Sequence, residues 1–244
     1  MTCYSGTGRV AVIDVNGTFA QIDVDGVTPG VQSISVGSNP DGIAIRTAGD
    51  RAYVANRNGN TVSVVNTGTY GVITTIGVGS APRGAVVNPA GTRLFVAEET
   101  NDDVAVIDVQ NGSGSENTVL QYVDVSATCS APRGVAIRPD GSRLYVTCNG
   151  NAPVVVLDTV TYNVIDSIGV GAPPMGIAVS SNGRLAYVAE RGDNAAGIIN
   201  LDTGVYLGQV WLNGGNGPFG VAFKPNSSIG LITLSNSNEV AVVY

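Results

Sequence analysis

Five side chains recur at one step of this sequence, and their types raise the first chemical question. They are Asp41, Arg83, Arg133, Met175 and Phe219, each held between a proline and a glycine at the head of a short apolar run. Two guanidiniums at equivalent steps, Arg83 and Arg133, can grip a carboxylate or another anion in a forked contact. Glu98 and Glu190 end the next apolar runs, at the step held elsewhere by Asn56 and Cys148. If they lie beside the arginines they either neutralise them, plugging the site, or act as a base with a perturbed pKa. These seven residues are the candidate ligand-binding set.

Residue types exclude much other chemistry. The chain has no histidine, which removes Ser-His-Asp and Cys-His catalysis and every His-bound metal. Three cysteines are too few for an all-thiolate tetrahedral site, and no glycine-rich phosphate loop precedes a helix. Asp102, Asp103 and Asp193 would offer oxygen ligands to calcium, but a solvated loop is the simpler reading. No metal, cofactor or catalytic residue is expected. Cys129 and Cys148 stand at the two ends of a hairpin that brings them together, so they form either a disulfide or two buried thiols. Cys3 is left over, a candidate for pairing between chains. Trp211, Tyr206 and Tyr244 are the aromatics available to stack on a sugar or to cover an outer strand.

The elements that position these residues come from a repeat. Pro-x-Gly steps carry Gly42, Gly84, Gly134, Gly176 and Gly220, which are 42, 50, 42 and 44 residues apart. Self-similarity at that period marks a propeller or solenoid. Each unit holds four strand signals, as in GVAIR, RLYVTC, PVVVLD and VIDSIGVG, joined by turns such as Pro139-Asp140-Gly141. Four short antiparallel strands without helical periodicity describe one propeller blade. The reading is an all-β propeller forming one domain over 1–244, five-bladed by the count of first strands, with six blades as the alternative. Residues 37–219 hold four full repeats. Residues 1–36 form a partial blade with an inserted segment near Phe19 to Gly30, and 220–244 form another. If the first strands are innermost, the five Pro-x-Gly side chains ring one mouth of the central channel.

The ends do not match a simple closure. First and second strands from the C-terminus, with third and fourth strands from the N-terminus, would complete a fifth blade, leaving one third strand surplus. The candidates are Val10, Val12, Ile13 and Val15, or Val240, Val242 and Tyr244. A surplus strand either caps an edge, belongs to a sixth incomplete blade or a longer array, or pairs with a neighbouring copy and builds a filament.

The pattern PxGVAxxPDGxRxYVxN…VxVID, carried by Pro132 to Asp158, by Tyr53-Val54-Ala55-Asn56 and by Tyr187-Val188-Ala189-Glu190, resembles the YVTN-type repeat β-propellers and the lactonase-like propellers. The resemblance runs over about residues 36 to 244 and implies a propeller fold. It implies a surface or scaffold role more than catalysis, since the family it resembles is mostly surface and scaffold proteins of bacteria and archaea. It also raises a lactonase-like hydrolase working at the channel mouth as the competing reading.

Composition bounds the partners. Net charge is −7, with 11 Arg and one Lys spread along the chain, so no basic patch marks a nucleic-acid surface. No apolar run approaches the ~20 residues of a spanning helix, so membrane insertion is not expected. Only 13% of residues are charged, and Asn16, Asn111 and Asn226 head glycosylation sequons. Both features fit an extracellular or cell-surface protein whose signal sequence is not present in this chain. The expected role is a non-catalytic structural or interaction propeller. Its partner would be itself, as a homopolymer or homo-oligomer, or other surface proteins and glycans. The alternatives are a monomeric ligand- or glycan-binding module and the hydrolase.

Overall fold

The computed structural model describes residues 2–4, 8–12, 32–212 and 217–244. Its 22 strands form six antiparallel sheets. The first sheet joins β1 (Thr2–Tyr4), β2 (Arg9–Val12) and β3 (Gln32–Ser35). The second is β4 (Pro40–Ile45), β5 (Arg51–Asn56), β6 (Thr61–Asn66) and β7 (Val72–Gly77). The third is β8 (Pro82–Val87), β9 (Arg93–Glu98), β10 (Asp103–Asp108) and β11 (Thr118–Asp124). The fourth is β12 (Pro132–Ile137), β13 (Arg143–Cys148), β14 (Pro153–Asp158) and β15 (Val164–Gly169). The fifth is β16 (Pro174–Val179), β17 (Leu185–Glu190), β18 (Ala195–Asn200) and β19 (Val205–Trp211). The last has β20 (Pro218–Phe223), β21 (Gly230–Leu234) and β22 (Glu239–Val243).

Five sheets begin with a Pro-x-Gly strand, and these strands, β4, β8, β12, β16 and β20, touch one another in series as the innermost strands of a propeller. By inner strand the blades number five. The sheet β1-β2-β3 begins at the second strand of the repeat and packs on β4–β7. Among the described residues, the two ends do not build one shared blade. β1-β2-β3 and β20-β21-β22 are separate sheets, each with its own second and third strands. Strand pairing within each terminal hairpin keeps partners that are close in sequence, at lower entropic cost than a pairing across the whole chain. Val10 lies buried in the first interface, whereas Val240 and Val242 on β22 are 56% and 48% exposed and Tyr244 is 86% exposed. β22 pairs only with β21 among the described residues. Ile13, Val15, Asn16, the side chains of Cys3 and Val12, and the Phe19–Gly30 insertion lie outside what is described.

Five apolar clusters join the six sheets in series, one per interface. Second strands such as β5 and β9 are buried on both faces, which is why RAYVAN and RLFVAE read as unbroken apolar runs rather than alternating ones. Outer strands such as β7 and β11 turn most of their residues to solvent.

The glycine of Pro-x-Gly has a packing cause. A Cβ on Gly42 would lie 2.2 Å from the carbonyl oxygen of Arg83 in the next blade, and on Gly84, Gly134 and Gly176 it would lie 2.5 Å from the carbonyls of Arg133, Met175 and Phe219. Inner strands therefore meet backbone to backbone. A second contact stitches blade to blade. In the turns between second and third strands, Asn60, Asp102 and Asn194 accept the N–H groups of Ala81, Ala131 and Gly217, each the residue before the next blade's inner strand, at 3.0, 2.7 and 3.1 Å. At the junction between the fourth and fifth sheets the acceptor step is Ala152 and the donor step is Pro173, so both groups are missing together.

Candidate functional site

Each inner strand shifts register at its Pro-x-Gly step, between Pro40 and Ile43, Pro82 and Ala85, Pro132 and Val135, Pro174 and Ile177, and Pro218 and Val221. Such bulges re-aim a side chain out of the ladder. Here they bring Asp41, Arg83, Arg133 and Phe219 together at one end of the inner strands, the mouth.

Arg83 is the hub. Its Nη1 donates to Asp41 Oδ2 at 2.5 Å, and its Nε and Nη2 donate to Glu99 at 3.0 and 2.7 Å. Arg57 Nη2 adds a 3.0 Å bond to Glu99, and Arg133 Nη1 stands 3.5 Å from the same carboxylate. The Arg133 guanidinium also sits over the Phe219 ring, 5.0 Å from its centroid, a cation–π contact. Met175 is buried in the interface with the last blade. Burial alone would push Glu99 up, but hydrogen bonds and charge from Arg83 and Arg57 outweigh it and hold the carboxyl below its ordinary range. Arg133 moves down, first through burial and then through repulsion from Arg83. Three guanidiniums thus face two carboxylates, and Arg133 is the least completely paired of the three.

Glu98 and Glu190 do not join this cluster. Both are 0% exposed, packed between blades one residue away from the strand end that faces the mouth. Each holds the loop entering its own blade. Gly79 N–H donates to Glu98 Oε1 at 2.7 Å, and Gly171 N–H donates to Glu190 Oε1 at 2.8 Å. The arginines therefore pair with Asp41 and Glu99, not with Glu98 and Glu190. Glu99 and Arg57 escape a reading based on strand ends alone. Their signal is the step just after the second strand, where Arg57, Glu99, Asn149 and Arg191 are equivalent.

The same loop fastening recurs with changed chemistry. Asn56 packs against Gly37, where a Cβ would lie 2.5 Å from its Cγ. In the fourth sheet the glycine and carboxyl steps are Cys129 and Cys148, which are joined by a disulfide with Cα atoms 5.1 Å apart. Tyr206 turns inward and donates its hydroxyl to Glu190 at 2.9 Å, while Trp211 is 65% exposed, so they form no shared aromatic platform. Asp102 and Asp193 accept loop N–H groups of Ala131 and Ala172. No cluster of three or more metal-ligating side chains occurs among the described residues.

Known proteins carry related architecture. The chain resembles a streptogramin B lyase structure with a TM-score of 0.76 at 16% identity, over 98% of this chain and 72% of that one. It resembles the hydrazine synthase of Kuenenia stuttgartiensis with a TM-score of 0.71 at 22% identity, over 90% of this chain. It spans only 58% of that second protein's length. At such identities the likeness is one of fold. No curated protein sequence matches the chain. The family model described as "Lactonase, 7-bladed beta-propeller" matches residues 7–131, just over half the chain, and on that match the chain belongs to the lactonase β-propeller family.

Proposed function

We propose that this propeller is a non-catalytic interaction module of an extracellular or cell-surface protein. The observation that carries the reading is the mouth, where Arg83 is held by Asp41 and Glu99. Glu99, one of the two carboxylates of the cluster, is kept ionised and weakly basic by Arg83 and Arg57, which suits structure better than general-base catalysis near neutral pH. The carboxyls shifted upward, Glu98 and Glu190, are fully buried and fastened to loop amides. The Cys129–Cys148 disulfide and the weakly charged composition support an oxidising compartment. Partners would be other surface proteins, glycans or further copies of the chain. A self-assembling form of the reading would use the open edge of β22 for strand addition.

The family match favours a second reading, a lactonase-like hydrolase. It would use Arg133, the incompletely paired guanidinium, to hold a carbonyl or carboxylate oxygen. A pH-stat assay over a panel of γ- and δ-lactones separates the two. The proposal expects no saturable acid release. Turnover that is lost in both Arg133→Ala and Glu99→Gln overturns it in favour of the hydrolase. Size-exclusion mass and negative-stain microscopy of the native protein test self-assembly, and discrete monomers would remove the strand-donation form.

A further inference from the structure

The four loop fasteners differ in one respect. Glu190 receives two donors, the Gly171 N–H and the Tyr206 hydroxyl, so both its oxygens are satisfied when it is ionised. Asn56 gives its amide to Thr61 and Ser63, and although its Oδ1 also lacks a donor, the group is neutral. Cys148 is in a disulfide. Glu98 receives only the Gly79 N–H, and its Oε2 is buried without a donor among the described residues. Asp103, directly opposite it in the β9–β10 ladder, has a buried Oδ1 that also lacks a donor. Two carboxylates cannot satisfy each other, because both only accept; a carboxylic acid and a carboxylate can.

We propose that Glu98 and Asp103 share one proton and form a pH-sensitive latch on the Gly79–Pro82 loop, which leads into Arg83 at the mouth. The proton sits on Glu98 Oε2 and is donated to Asp103 Oδ1, leaving Glu98 Oε1 free to accept the Gly79 N–H. The surroundings fit this assignment. Burial first, and then the hydrogen bond and charge of Asp103, push Glu98 up to about 8. Burial raises Asp103 as well; hydrogen bonds from Glu98 and Asn101 pull it back without cancelling the rise, and the charges of Asp124 and Asp102 add to it. Tyr122 on β11 also faces the pair and is raised, chiefly by its own burial and then by both carboxyls. Arg83 and Arg133, the basic residues of the flanking inner strands, turn to Asp41 and Glu99 instead. Loss of the proton to bulk base leaves two adjacent negative charges, with the Gly79 N–H serving Glu98 and the Asn101 side chain serving Asp103 but no donor for Glu98 Oε2 or Asp103 Oδ1 among the described residues, and the geometry that holds Gly79 is then repelled open. There is no slack to absorb the movement, since even a Cβ on Gly79 would lie 1.9 Å from Glu98 Oε2.

The sign follows from linkage. An acid raised in the folded state contributes stability that is fully present below its unfolded-state pKa and is lost as pH rises through the folded value. The test is thermal unfolding against pH for the intact chain, with Glu98→Gln and, as a control, Glu239→Gln at an exposed strand position. The amide of E98Q imitates the protonated acid. The wild type should lose about 5 °C or more in Tm between about pH 6.5 and about pH 9, and E98Q should lose less than half of that. Asp103→Asn serves the same purpose if E98Q folds poorly, because the new amide supplies the missing donor. Infrared spectra at neutral pH should show a buried carboxylic-acid carbonyl band that is missing in E98Q. Equal pH slopes in wild type and both amide variants, or no acid band at neutral pH, overturn the proposal. So does recovery of the alkaline Tm loss by calcium, which would mean that a cation rather than a proton bridges the pair.

Discussion

Replacing the Cys129–Cys148 disulfide tests the equivalence of the loop fasteners most directly. The bond closes a segment of 19 residues between the loop entering the fourth sheet and the end of β13. In the chain-entropy account, closing a loop of that length removes about 11 cal/mol/K from the unfolded ensemble, or about 3 kcal/mol at 25 °C. Cys148→Ala should therefore cost ~3 kcal/mol and lower Tm by roughly 6–12 °C for a domain of this size. Beyond the covalent bond, Cys129 and Cys148 stand where Gly37 and Asn56 stand two blades earlier, and where Gly79 and Glu98 stand one blade earlier. The double change Cys129→Gly with Cys148→Glu should restore about 1 kcal/mol over Cys148→Ala by rebuilding the loop N–H to carboxyl bond that Gly79–Glu98 and Gly171–Glu190 make. Urea unfolding followed by circular dichroism, with and without reductant, measures both differences. If the double variant is no more stable than Cys148→Ala, the equivalence is wrong. If reductant leaves the wild type unchanged in urea, the disulfide contributes nothing.

Three further outcomes are expected. Asn60→Ala should cost about 1 kcal/mol for the lost acceptor of the Ala81 N–H plus a backbone share, because residue 60 has a left-handed φ of 52°, whereas Ala152→Asn, at φ 70° but facing Pro173 with no N–H to give, should return only the backbone share; paired denaturant melts decide this. Gly42→Ala should cost roughly 3 kcal/mol, since its Cβ would strike the Arg83 carbonyl. Gly220→Ala meets only the Thr233 hydroxyl at 3.2 Å and should cost under ~1 kcal/mol, and similar losses at both sites would refute the backbone-contact account. Arg83→Ala should cost about 3 kcal/mol near neutral pH by stranding Asp41 and Glu99. Because Glu99 is held low, its contribution is present above its unfolded-state pKa and is lost as pH falls through the folded one. The gap between wild type and Arg83→Ala should therefore narrow on acidification, as followed by Tm against pH.

Much of the scaffold was legible in the chain because turn chemistry punctuates it. The Pro-x-Gly step and the Asp-Gly and Asn-Gly turns fix the period and the four strands. The period in turn identifies the inner strand and brings Asp41, Arg83, Arg133, Met175 and Phe219 to one end. The facing of Glu98 was not legible. In RLFVAEE both faces of the strand are buried, so no polar alternation tells whether residue 98 or 99 turns to the mouth. The assignment depends on how far the strand continues before it bends. The bulge that re-aims the Pro-x-Gly side chains likewise has no signal beyond its glycine. The termini were ambiguous for another reason. Third strands such as VAVIDV and EVAVVY are interchangeable by pattern, and pattern alone does not choose a partner for them.

The blade junctions have a consequence for how such a chain grows. Four junctions set an inner glycine against the next blade's carbonyl, and three of them add a turn acceptor for its loop N–H, so donor and recipient faces differ and these junctions are head to tail. A duplicated or deleted repeat unit would meet its new neighbours through the same pair of faces, with no bespoke contact to invent. Blade number then behaves as a copy number, open to change by unequal recombination. The matched loss of acceptor at Ala152 and donor at Pro173 marks one junction as individual, one that a shuffled unit could not enter without leaving an orphaned group.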